Sequence, residues 1–295
     1  MSEPAALEVM ELRLRDLDGR DAGRSTAATI DLRGPGVLTT KRARRLACAT
    51  GLRELRLHPN CSTTRFALTA LTKSKTLAAI TIWDLIGGGA IGPLDPESRI
   101  KALHDNSHGM TGDDLVALAA LPRLERLHAQ GAKVTNAAAK ALAAAPRLKA
   151  LDLEGAAFAP RAIQTLARSE TLEQLSLCHA RLAREDLDAL AASASLRDLD
   201  LWGTSVAAAE LSLLGGSSRV ESLTLGGVWG GPGRTGAETL AALDAFDRLE
   251  RIWLDDVPLT ARERDAALRR YRGVRLSVEA NNPWLDGHPT DTIVQ

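Results

Sequence analysis

One short hydrophobic phrase, L-x-x-L-x-L, recurs along this chain about every 24 residues. Its first positions are Ala27, Leu52, Leu77, Ile100, Leu124, Leu148, Leu172, Leu196, Val220 and Leu249; the spacings are 25, 25 and 23, then 24 five times, then 29. In nine of the ten phrases the fourth and sixth residues are apolar (+3 and +5, counting the first as zero), for example Leu151 with Leu153 and Leu199 with Leu201. Such alternation predicts a short strand with one face buried. Farther along each unit a second pair recurs at +15 and +18: Leu115 with Leu118, Ala139 with Leu142, Ile163 with Leu166, Leu187 with Leu190, Leu211 with Leu214. That spacing puts both on one side of a helix, and the alanine-rich surroundings favour helix. Each unit is therefore expected to be a strand, a turn and a helix of two to three turns. A single unit cannot bury both of its apolar faces, but stacked copies can.

These phrases resemble the leucine-rich repeat family over about residues 27–278. The unit length is similar to the bacterial 24-residue class with ribonuclease-inhibitor-like helices. Asp200-Leu201-Trp202-Gly203-Thr204 resembles its L-D-L-x-G-T turn, and the run AAAKALA from Ala137 resembles the helix of GALA-type secreted effectors. Many members place Asn at +8; here that position holds His108, Ala132, Ala156, Ala180 and Thr204, so backbone and glycine are expected to close the turn. The resemblance implies an α/β leucine-rich-repeat solenoid, with parallel strands on the concave face and short helices on the convex face. It also implies recognition of another protein rather than catalysis; the fold indicates where binding happens and not what is bound.

The ends and two internal units depart from the rule. VMELRL at 9–14 alternates like one more strand. A helix is expected at about 260–271, followed by a last strand at 274–278. The reading is an N-terminal cap over 1–26, about ten repeats over 27–273, and a C-terminal cap strand and tail over 274–295. After Trp83, LIGGGAIGPLDPES replaces the expected helix, because its glycines and prolines cannot continue one. After Leu225, GGVWGGPGRTG adds five residues before a helix at Ala237. Neither is a phosphate loop, since no Gly-Lys-Ser/Thr follows.

Composition narrows the function classes. Lys+Arg and Asp+Glu each number 37 in 295 residues, so the net charge is zero and no basic surplus points to nucleic acid. No apolar run reaches 18 residues, which argues against a membrane span. Three scattered cysteines read as a reducing compartment, and MSEPAALEVMELRLRD lacks a basic region before an apolar stretch. A bacterial, cytoplasmic protein, monomeric before it binds, is the expectation, with no cofactor. The run Lys41-Arg42-Ala43-Arg44-Arg45 is expected on a solvated helix face.

Positions +2, +4 and +6 should point away from the core and line up in columns on strands roughly 4.8 Å apart. The map predicts basic residues toward the N-terminal end (Arg33, Arg56, His58, Arg126) and acids toward the C-terminal end (Asp152, Glu154, Asp198, Asp200, Asp255). Exposed tryptophans should join them. The expected partner-binding residues are Trp83, His104, His128, Asp152, Glu154, Asp198, Asp200, Trp202, Trp229 and Trp253, and the expected partner is a protein with a basic surface. Two alternatives remain: an effector or ubiquitin-ligase-type adaptor acting in a host, and a metal-dependent enzyme using the consecutive His104, His128 and Asp152. Cys178 and His179 are not a nucleophile–base pair, since adjacent strand residues face opposite ways.

Overall fold

The computed structural model of the chain describes residues 9–18, 27–87, 90–204, 206–216, 218–226, 236–255, 260–270 and 275–277. The chain forms two compact units, Met1–Leu151 and Asp152–Gln295. Each is a stretch of α/β repeat solenoid, in which parallel strands lie on one side and short helices on the other.

In the first unit the strands Val9–Arg13, Thr29–Arg33, Glu54–Leu57, Ala79–Ile82, Ala102–Asp105 and Arg126–Ala129 pair in parallel and in chain order. The register matches +3 with +3: Ile30 pairs with Leu55, Leu55 with Ile80, Ile80 with Leu103, and Leu103 with Leu127. All five side chains are buried, as the alternation predicts. The +5 row runs Leu32, Leu57, Ile82 and then Asp105, so a carboxylate stands where a core aliphatic is expected. The helices Thr40–Ala47, Arg65–Leu71, Gly112–Ala119 and Asn136–Ala143 each start after a threonine. The hydroxyls of Thr39, Thr64, Thr111 and Thr135 accept a backbone N–H three residues on, which satisfies a donor that the helix cannot.

The segment after Trp83 holds no helix among its described residues; it has a short strand, Asp84–Ile86, and irregular chain over 90–100. Its backbone is pinned instead by a buried ion pair. The Nε and Nη2 of Arg65 donate to the Asp114 carboxylate at 3.0–3.1 Å, and the same guanidinium donates to the carbonyls of Gly87 and, at 2.7 Å, Gly109. From the segment itself, the Ile91 N–H donates to Asp114 at 2.7 Å. The basic run at 41–45 is partly tethered as well. Arg42 donates to Asp18, and Arg45 to the carbonyl of Leu17, so two of its cations anchor the turn Leu14–Asp18 rather than facing solvent alone.

In the second unit the strands Gln174–Ser176, Asp198–Asp200, Ser222–Gly226, Arg251–Asp255 and Arg275–Ser277 pair in parallel. Leu175, Leu199, Leu223 and Ile252 form the buried +3 row. Ile163, Leu166, Leu187, Leu190, Leu211 and Leu214 bury the inner side of the helices Ala162–Leu166, Arg184–Ala191 and Ala208–Gly215. Two of these helices begin after alanine, and here Asp186 and Glu210 accept the N–H groups of Ala183 and Ala207. The expected helix at about 260–271 is Ala261–Arg270, and the expected strand at 274–278 is Arg275–Ser277.

Candidate functional site

The strand face opposite the helices carries the sequence-predicted residues, and the two units present it differently. In the first unit Trp83 is 43% exposed. His104 and His128, paired across adjacent strands, are half-buried and stacked, with ring centroids 3.9 Å apart and planes 21° from parallel. Both donate Nε2–H to Oδ1 of Asn106, at 2.9 and 3.0 Å. The imidazoles therefore lie flat on one another, and the point on which their Nε2 atoms converge is filled by the Asn106 amide oxygen. Among the described residues no group of three or more His, Cys, Asp or Glu side chains is arranged to hold a metal ion.

Two of the four basic residues expected at the N-terminal end, Arg33 and Arg56, are neutralised in place. Arg33 pairs with Glu11 at 2.9 Å and with Asp31 at 3.1 Å, and Arg56 pairs with Glu54 at 2.8 Å. Beneath this face Asp105 is fully buried. Its Oδ1 accepts the Ser107 N–H at 3.0 Å, and its Oδ2 has no hydrogen-bond partner. Burial pushes this carboxyl above the usual carboxylate range; the Ser107 donors and the nearby His128 and His108 pull the other way.

In the second unit the picture expected from alternation needs correcting. Asp152, Ser176, Cys178, Asp200 and Thr224 belong to the outward columns, yet all five are buried. Trp202, Trp253, Glu154 and Asp198 are half-buried rather than open. They are short side chains at consecutive positions roughly 4.8 Å apart, and they pack against one another instead of reaching solvent. Trp229 lies outside the described residues.

The buried members form a hydrogen-bonded chain. The Ser176 hydroxyl donates to Cys178 Sγ at 3.3 Å, and the Cys178 thiol donates to Asp200 Oδ2 at 3.1 Å. Asp200 Oδ1 accepts the Trp202 N–H at 2.9 Å. Burial pushes the Asp200 carboxyl up to about 7; the Trp202 N–H and the Cys178 thiol oppose that, while the charges of Asp152 and Asp198 add to it. Burial, followed by the charge of Asp200, also pushes the Cys178 thiol far up, which makes it a proton donor and a poor nucleophile. Asp198 is raised by burial too, against a Ser222 hydrogen bond and the charge of Arg251.

Above this chain stands the turn that carries Trp202. The His179 ring meets the Trp202 ring edge-on, with centroids 4.7 Å apart and planes at 86°, and the His179 N–H donates to the Trp202 carbonyl at 2.9 Å. His179 has φ +61°, a left-handed conformation that glycine fills at the equivalent positions 131, 155 and 203. In turn, a Cβ at Gly203 would fall 2.4 Å from His179 Nδ1, so glycine is required beneath that ring. Sequence reasoning missed His179; its signal was a histidine at a position where neighbouring repeats carry glycine.

No protein-family model and no curated protein matches this chain. Among solved structures, an internalin from Listeria monocytogenes is similar at 16% identity, covering 86% of this chain and 72% of that chain with a TM-score of 0.45. No helix among the described residues is long and apolar enough to cross a membrane.

Proposed function

We propose that this chain is a non-catalytic recognition module, and that the strand face of its second unit meets a partner protein with a basic surface. The observation that carries the reading is the setting of Trp202. It is a half-buried indole on a turn fixed by its own backbone hydrogen bonds, in the same set of outward columns as Glu154 and Asp198. Between residues 152 and 226 the outward columns hold Asp152, Glu154, Asp198 and Asp200 and, among the described residues, no Lys or Arg. An amphipathic ring amid carboxylates suits a partner offering Arg or Lys around an apolar centre. A cytoplasmic location and a monomeric state before binding belong to the same proposal.

The test begins with a pull-down from native lysate and continues with affinities of variants. Trp202→Ala is expected to weaken binding by about 2 kcal/mol or more. Glu154→Lys is expected to slow association most at low ionic strength. Binding like wild type by both variants, with loss of binding on a helix-side substitution, would place the interface elsewhere.

A further inference from the structure

We propose that Asp200 is a positioning residue for Trp202: the buried Ser176–Cys178–Asp200 chain holds the turn that presents the indole, and gain or loss of the Asp200 proton changes how firmly it is held. The inference concerns regulation of the binding face just described and rests on that reading.

The geometry leaves Asp200 few ways to act. Its side chain is fully buried, one oxygen is committed to the Trp202 N–H and the other to the Cys178 thiol. The titratable and charged groups that face it are Cys178 in the turn after one neighbouring strand, Asp152 beyond it, and Asp198 on its own strand. Its register partner on the other side, Thr224, is uncharged, and the cation Arg251 acts on Asp198. With its proton on, the carboxyl is a neutral acceptor. With the proton lost to solvent, the same two bonds become charge-assisted and about twice as strong, which tightens the backbone at Trp202. Repulsion from Asp152 and Asp198 resists that loss, as does burial, and the balance sets the change near neutral pH. The turn is then held more tightly on the alkaline side. His179, strained at φ +61°, braces the ring from its edge.

The experiment needs no partner. The full chain, labelled with 15N and 13C, is followed by NMR from pH 5 to 9 at the Trp202 backbone amide and the Asp200 carboxyl carbon. Both resonances are expected to move along one sigmoid with a midpoint near 7. Cys178→Ala removes a donor that favours the ionised form, so its midpoint is expected to move upward; Asp200→Asn should abolish the Trp202 amide titration. Imidazoles as a class titrate in this range, so His179→Ala is the control and should keep the sigmoid. The proposal is overturned if neither resonance titrates, if the amide titrates unchanged in Asp200→Asn, or if His179→Ala removes the titration. Should Asp200→Asn not fold, the wild-type carboxyl curve and the Cys178→Ala midpoint still decide. Failure of this switch leaves the binding face standing, because that face is judged separately by the Trp202→Ala affinity.

Discussion

Asp114 in the first unit and Asp200 in the second are both fully buried carboxylates, yet the protein treats them oppositely. Burial raises both. At Asp114 it is overcome by the Arg65 guanidinium, the N–H groups of Thr111 and Ile91 and the Thr111 hydroxyl, and the carboxyl ends below its ordinary range. At Asp200 one amide and one thiol oppose burial, two neighbouring carboxylates side with it, and the carboxyl ends near 7. Burial alone thus does not decide whether a carboxylate is charged; the number of donors and the sign of the neighbours do. Asp114 is a fastening, while Asp200 is left able to change state.

The comparison can be broken at its stronger end first. Arg65→Met should cost about 3–5 kcal/mol in urea unfolding, because it strands a buried charge. Pairing it with Asp114→Leu should recover much of that loss, and no recovery would mean that the pair is not what holds the segment after Trp83. Next comes the pH dependence. The lowered Asp114 contributes stability present above its unfolded value, which is lost as acid is added. The raised Asp200 does the reverse: its contribution is complete below 3.8 and is lost as pH rises to about 7, a span worth about 4 kcal/mol. Asp200→Asn should therefore be more stable than wild type at pH 8, by up to about 4 kcal/mol, with the advantage vanishing toward pH 4. An advantage that is the same at every pH would show that charge is not the cause. The smallest effect is expected at Asp105, which has one backbone donor and one orphan oxygen. Asp105→Asn relieves the burial that raises this carboxyl but leaves an amide short of a partner, so a smaller gain at pH 7 than at Asp200 is expected. A larger gain there than at Asp200 would upset the ranking by donors and neighbours.

Much of the fold was legible in the spacing of leucines, because burial at +3 and +5 is a property of each repeat by itself. The strand at Val9–Arg13, the missing helix after Trp83 and the last helix followed from the same local rules. The site was less legible. Alternation tells which way Asp200 and Asp152 leave the backbone but not whether neighbours cover them, and that depends on side-chain lengths in adjacent columns. Asp105 interrupts the +5 row, a signal that the alternation of the other phrases passes over. The Asp114 partner was not, since nothing local connects it to an arginine 49 residues earlier; only its place three residues after Thr111 marked it as a helix-start acid.

The Arg65–Asp114 pair also alters how the first unit comes apart. A repeat array held only by adjacent contacts behaves as a one-dimensional chain, free to fray repeat by repeat. Arg65 belongs to the repeat that begins at Leu52 and Asp114 to the one that begins at Ile100, and the repeat between them lends its own backbone to both charges. The tie reaches past the nearest neighbour and makes three repeats one cooperative block. Native-state hydrogen exchange should then show the helices Arg65–Leu71 and Gly112–Ala119 opening with a common free energy, and Arg65→Met should split that single value into two.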